Sequence, residues 1–193
     1  MSAQPSHSHI SPEDYLILDE ASETRYEYLN GEVYAMSGGT PKHSRITHNI
    51  NGLMFIALRQ SPCKGYESNI RLQISKKEYL YPDFTAVCGK AEFDEAYPNN
   101  LKNPTMVVEV VSDTSEHRDH FIKLNVYRSI ESLRIYMIVE QTTPKVTLHL
   151  RQDNGWLYQV YEGLDAVVPL DAIGTTLNLS ELYETVDFDE EQS

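Results

Sequence analysis

The chain has 193 residues, 40% of them hydrophobic, enough to bury a substantial core as one globular unit without staples. Its formal net charge of −13 counts against loose attraction to nucleic acid, which draws on clustered Lys and Arg, but does not exclude it. No segment approaches the roughly 20 apolar residues of a membrane span, and MSAQPSHSHI is no secretory leader, so a soluble cytoplasmic protein with no membrane partner is expected. Cys63 and Cys88 are not at metal-ligand spacing and lie in or beside strand-like segments. They read as reduced core thiols, in keeping with an intracellular location.

A flexible tail is expected over 1–10, a single domain over 11–186, and a solvated acidic tail over 187–193. Ser11-Pro12-Glu13-Asp14 opens a helix to about Ala21, with a capping hydroxyl, Pro at the first helical position and acids near the positive end of the dipole. In RYEYLNGEVYAM, Asn30-Gly31 supplies the positive φ angles of a type I′ turn between two alternating segments, a hairpin with Glu27 on its first strand. Thr40-Pro41 opens a second helix, with His43 in its first turn and Ile46, Ile50, Leu53 and Ala57 at helical spacing.

Strands are expected over Gly65 to Ile74 and Leu80 to Cys88. Met106 to Val111, apolar on both faces, suits a central strand buried on both sides. A helix from about Ser115 to Arg128 and a strand from Ile135 to Val139 complete a β-α-β unit with parallel strands. KVTLHL and WLYQVY follow, joined near Asn154-Gly155. The fold class is α/β in the broad sense, an α+β mixed sheet flanked by helices.

Two carboxylates stand at the edges of apolar runs: Asp83 after Pro82, and Glu109 inside MVVEVVS. Ionised side chains are costly to desolvate unless paired or bound to a metal, so Glu109 calls for a site or an ion pair. Strand alternation puts Asp83, Thr85 and Val87 on one face, and Val107, Glu109 and Val111 on one face of the later strand. If these strands pair, the carboxylates converge at one edge. Mg²⁺, with Mn²⁺ as a substitute, takes such oxygen ligands together with a backbone carbonyl, water and phosphate oxygens. Asp119, Lys123 and Tyr127 recur at every fourth residue, on one helix face that can point back to Glu109. The plainer reading of Asp119 and Lys123 is a solvated pair contributing about 0.3–0.5 kcal/mol. For Glu27 it is a hairpin-face charge paired with Arg25 or a nearby lysine, and for His43 a first-turn surface residue.

In this order, RYEYLNGEVYAMSG with a following His43, YPDF, VVEVVS, the spacing Asp119, Lys123, Tyr127 and then LRIYMIV resemble the PD-(D/E)XK nuclease superfamily. More specifically they resemble its Uma-two family of restriction-endonuclease-like proteins, over about Ser11 to Val186. The resemblance implies a restriction-endonuclease-like fold in which Asp83, Glu109 and the backbone carbonyl of Val110 hold a divalent metal. It makes Lys123 the migrated catalytic lysine, since the superfamily's usual lysine position is Val111 here. Glu27 would complete the acidic cluster, with His43 nearby. Two stretches depart from the family pattern: Ser112-Asp113-Thr114-Ser115 after the second acid, and Ile135-Tyr136-Met137.

The implied function is a Mg²⁺-dependent endonuclease acting on DNA, expected as a homodimer because two strand cuts are readily made by symmetric subunits. The competing reading is a non-catalytic nucleic-acid or protein interaction module on the same scaffold. A carboxylate-pair hydrolase acting on sugars would need the two acids to flank a groove rather than share a metal. Arg45, Arg59, Lys64, Arg71, Lys76 and Lys77 are the cations that could face DNA.

Overall fold

The computed structural model describes residues 7–36, 39–111 and 122–188. His7 and Ser8, expected in the tail, form a short strand, β1 (His7–Ser8). In α1 (Pro12–Ala21) the Ser11 hydroxyl accepts the Asp14 N–H at 3.1 Å, capping the helix where the sequence places its start. Asn30 (φ 52°) and Gly31 (φ 98°) make the turn between β2 (Tyr26–Leu29) and β3 (Glu32–Ala35). Thr40 caps α2 (Pro41–Leu58) in the same way, accepting the His43 N–H at 3.0 Å.

The run expected as one strand from Leu80 to Cys88 is two, β6 (Glu78–Leu80) and β7 (Phe84–Cys88), broken at Tyr81-Pro82-Asp83. The earlier segment divides likewise into β4 (Cys63–Glu67) and β5 (Arg71–Ser75). A short β8 (Asn100–Leu101) precedes β9 (Met106–Val111), all six of whose residues are buried. Then come α3 (Leu124–Arg128), β10 (Ile135–Glu140), β11 (Lys145–Gln152), β12 (Gly155–Glu162), β13 (Val167–Leu170), β14 (Thr175–Asn178) and α4 (Leu179–Leu182). Of the helix expected from Ser115, the part up to residue 121 lies outside the described residues.

Two mixed six-stranded sheets form, where the sequence suggested one. The first runs β12-β11-β10-β9-β7-β4, with β9 and β10 parallel as the β-α-β pattern requires. The second runs β1-β3-β2-β6-β5-β8, and β13 pairs with β14 apart from both. On one face of the first sheet, Phe84, Ala86, Val108 and Val110 pack against Ile46, Ile50 and Met54 of α2 and against the C-terminal hairpin and α4. On the other face, Val107, Val111, Tyr136 and Ile138 meet Leu29, Leu72 and Leu80 of the second sheet and Leu124 and Tyr127 of α3. Glu109 shares the alternation of Val107 and Val111, so the sheet places it in this second layer, between the two sheets. Helix α1 covers the far side of the second sheet through Tyr15, Leu16, Tyr28, Val33 and Tyr79.

Two expectations are corrected. Cys63 and Cys88 are directly opposite in the antiparallel β4–β7 pair and form a disulfide, so they are not reduced thiols and give no support to a reducing compartment. Arg71 is not a surface cation: it is 2% exposed and paired at 2.6 Å with Asp19 of α1. No helix among the described residues is long and apolar enough to cross a membrane.

Candidate active site

Strand β7 pairs with β9 through Phe84↔Val108, Thr85↔Val107 and Ala86↔Met106, so continuing the register sets Asp83 opposite Glu109. Asp83 precedes the strand, however, where the chain is arriving from the second sheet, and strand alternation does not govern its side chain. Its Oδ2 accepts the Val110 N–H at 2.7 Å, and its Oδ1 lies 3.1 Å from His43 Nε2 in the first turn of α2. Asp83 thus takes the ladder position that β7 has vacated. On the other side of β9, the Val111 carbonyl accepts the Gln141 N–H at 3.2 Å. Successive strand residues point their backbone groups in opposite directions, so the Val110 carbonyl faces the same edge as Asp83.

Behind this edge, Lys123 Nζ donates to Glu109 Oε1 at 2.8 Å and lies 2.9 Å from Glu27 Oε1 on β2. The Tyr127 hydroxyl donates to the same Glu109 oxygen at 2.6 Å. The helical spacing of Lys123 and Tyr127 survives, although residues 122 and 123 form a π turn and the α-helix starts at Leu124. Glu27 also accepts the Tyr81 N–H at 3.4 Å, and Arg25 bonds Ser68 and Asn69 instead of pairing with Glu27. Glu27, Asp83, Glu109 and Lys123 are all at least nine-tenths buried. Asp119 lies outside the described residues.

Magnitudes show how this charge is held. Both glutamates touch one ammonium at 2.9 and 2.8 Å, so their Oε1 atoms are at most about 5.7 Å apart. At an effective dielectric of about 20 their repulsion is near 3 kcal/mol, and each attraction to Nζ is about twice that. Among the described residues the trio coheres with formal charge −1, and Asp83, with His43 at 3.1 Å, brings a further negative charge beside it. Such a surplus suits a place where a cation or a phosphate-bound metal is to be received. The donors are mainly carboxylate oxygens, the ligand type Mg²⁺ and Mn²⁺ take. No three His, Cys, Asp or Glu side chains among the described residues converge to hold an ion. The described residues therefore make no closed protein cage, and a cation there would rest on two carboxylates and keep waters and substrate oxygens.

Two supporting residues were not singled out from the sequence, Gln141 and Gly39. Gln141, at the end of β10 and 6% exposed, donates its N–H to β9 and is bonded through Oε1 by the Thr40 hydroxyl at 2.6 Å. It ties the cap of α2 to the carboxyl ends of the parallel strands, where ligands bind in such sheets. Gly39 leaves room for the His43 ring, because a Cβ there would lie 2.7 Å from His43 Nδ1. The one hint in the sequence was a polar Gln directly after a buried strand.

This architecture is a restriction-endonuclease-like fold of the mixed α+β kind. It aligns with the crystal structure of "a putative nuclease belonging to DUF820" from Anabaena variabilis at TM-score 0.75 and 19% identity, covering 90% of this chain and 97% of that one. The chain belongs to the Uma2 family, described as "Putative restriction endonuclease", whose model matches residues 12–180. It is 30% identical over 181 residues to the uncharacterized protein slr1290 of Synechocystis, covering 93% of this chain and 94% of that one. With the uncharacterized protein sll1609 of the same organism it shares 26% over 161 residues, 82% and 91% of the two chains.

Proposed function

We propose that the chain is a Mg²⁺-dependent endonuclease that hydrolyses DNA phosphodiester bonds and works as a homodimer. The observation that carries this reading is the surplus of buried carboxylate around Lys123 and Asp83, at the edge where β7 leaves β9. Family membership and the nuclease title of the structural neighbour support it.

Asp83, Glu109 and the Val110 carbonyl would hold the metal, whose chemistry is to polarise the phosphate and make bound water acidic. Lys123 holds Glu109 and offers its ammonium to the charge developing on the phosphate. Tyr127 fixes the Glu109 carboxylate from the other side, and His43 fixes Asp83. Glu27 holds the ammonium in place.

One observation favours the non-catalytic module as the second reading: Glu109 Oε1 is already engaged by both Lys123 and Tyr127. Purified protein decides between them. With Mg²⁺ or Mn²⁺ it should nick or cut plasmid DNA, a chelator should stop the reaction, and Asp83→Ala and Glu109→Ala should each abolish it. A protein that neither binds these ions in a titration nor cuts is the module. Equal cutting by wild type and the Asp83→Ala/Glu109→Ala double variant would reveal a contaminating nuclease. Sedimentation velocity tests the dimer.

A further inference from the structure

Charge is unevenly placed along this chain. From Val33 to Tyr66 there is no Asp or Glu, although the chain has 29 of them, and there are four cations: Lys42, Arg45, Arg59 and Lys64. Most of that run is α2, which buries the row Ile46, Ile50, Met54 and Leu58. At 3.6 residues per turn, Arg45, His48, Gly52, Phe55 and Arg59 follow the opposite side of the helix, and all five are exposed. Lys64, exposed on the edge strand β4, lines the same groove as Phe55 and Arg59, with Glu67 at its border.

Two details of this outer row have no explanation among the described residues. Gly52 sits mid-helix, where glycine costs about 1 kcal/mol relative to alanine, yet a Cβ there would meet nothing within 4 Å. Nothing in the fold demands the missing side chain, which leaves room for an outside backbone to come close. Phe55 and Ile56 are 70% and 69% exposed, and the Arg59 guanidinium stands 5.9 Å from the Phe55 ring centre. His43, which meets Asp83, stands in the first turn of the same helix, on the buried side in line with Ile46 and Ile50.

We propose that the outer row of α2, together with Lys64, is the docking surface for duplex DNA, with Arg45, Arg59 and Lys64 on phosphates and the sugar-phosphate backbone passing over Gly52. In a chain of net charge −13, a run with four cations and no acid from Val33 to Tyr66 lowers the repulsion that a polyanion meets along α2. Phe55 supplies an apolar contact to sugar or base. The inference rests on the nuclease reading and adds to it a surface that holds the substrate.

The test measures binding without turnover. Anisotropy of a labelled duplex, titrated in chelator at several salt concentrations, is compared for wild type and variants. Arg45→Ala/Arg59→Ala should weaken binding about 10–100-fold and lower the slope of log K against log salt by about 2. Gly52→Leu should weaken binding about 10-fold although leucine favours the helix, so misfolding cannot account for the loss. The exposed control Lys102→Ala should bind as wild type does. Unchanged affinity and slope in both α2 variants overturns the proposal, as does a wild type that binds no duplex. If those variants keep DNA affinity but turn a dimer into a monomer in sedimentation, the face belongs to a second copy of the chain and the proposal falls. Duplex binding that depends on α2, without any cutting in Mg²⁺ or Mn²⁺, removes the nuclease reading and leaves the docking surface standing.

Discussion

Two buried ionic centres can be compared within this molecule, and they are built on opposite plans. Around Arg71 the buried charges match, one guanidinium to one carboxylate, and the second carboxylate, Glu20 at 3.8 Å, is largely in solvent. Arg71 Nη1 meets Asp19 at 2.6 Å, its Nε meets Asn100 Oδ1 at 2.6 Å, and its guanidinium lies near the Tyr15 and Tyr79 rings. Asp19 in turn accepts the Tyr81 hydroxyl at 2.5 Å and the Tyr26 N–H at 2.8 Å. That centre clamps α1 to the second sheet and has no surplus to offer a ligand. Around Lys123 two glutamates share one ammonium, and Asp83 stands close by. Burial alone does not mark a site. We propose that an unbalanced charge count, as the described residues show around Lys123, does.

The largest effect should come from the matched centre. Arg71→Met leaves Asp19 buried and unpaired, and should lower unfolding free energy in urea by about 3–5 kcal/mol. A loss below about 1 kcal/mol would mean the pair is not the clamp described. Next is Lys123→Ala, which removes both attractions and keeps the repulsion of about 3 kcal/mol. We expect a stability loss of that order, a lower melting temperature, and cleavage slowed about 100-fold. An unaffected melt would show that the two glutamates do not depend on the ammonium.

Alkaline pH separates the centres further. Burial, and then its bond to Asp19, raise the Tyr81 hydroxyl well above its ordinary value, and Tyr34 is pushed up to about 12 by burial and its bond to Glu32. A raised folded pKa means the native state holds the proton longer. The contribution is therefore full below the unfolded value near 10 and declines as pH rises past it, by about 1.4 kcal/mol per pH unit for each tyrosine. Melting temperature should fall above pH 10, less steeply in Tyr81→Phe. Equal slopes would contradict the bond to Asp19.

The smallest stability effect should be that of Glu109→Gln. This change keeps the shape and leaves Lys123 paired one-to-one with Glu27, so stability should stay within about 1 kcal/mol of wild type or rise, while cleavage is lost. A collapse like that of Arg71→Met would make the Lys123 cluster a structural clamp too.

What was legible in the sequence was local or periodic. Ser11 and Thr40 cap helices, Asn30-Gly31 turns the hairpin, and the two valine- and isoleucine-rich runs are the parallel pair β9 and β10. Glu109 stood out because a carboxylate within a buried strand is expensive. Lys123 and Tyr127 could be placed on one face because helical spacing is regular. The remainder depended on contacts far apart in the chain. The Cys63–Cys88 disulfide follows from the β4–β7 register, which neither segment signals alone. Arg71 looked like any other cation until Asp19, 52 residues earlier, closed on it. The division into two sheets rests on Pro82, a single residue whose missing N–H suits a break between strands as well as a strand's first position.

That break has a mechanical consequence. Within Tyr81-Pro82-Asp83 the chain passes from one sheet to the other, and Glu27 on the far side is bridged through Lys123 to Glu109 on the near side. The cluster thus works as an alignment gauge for two sheets that could otherwise slide. Removing one residue from this crossing would shift β7 by a single step against β9 and exchange which of its side chains face α2 and which face the second sheet. Three residues therefore hold the indexing of two layers, and an insertion or deletion there should be tolerated far less well than one in the β11–β12 turn.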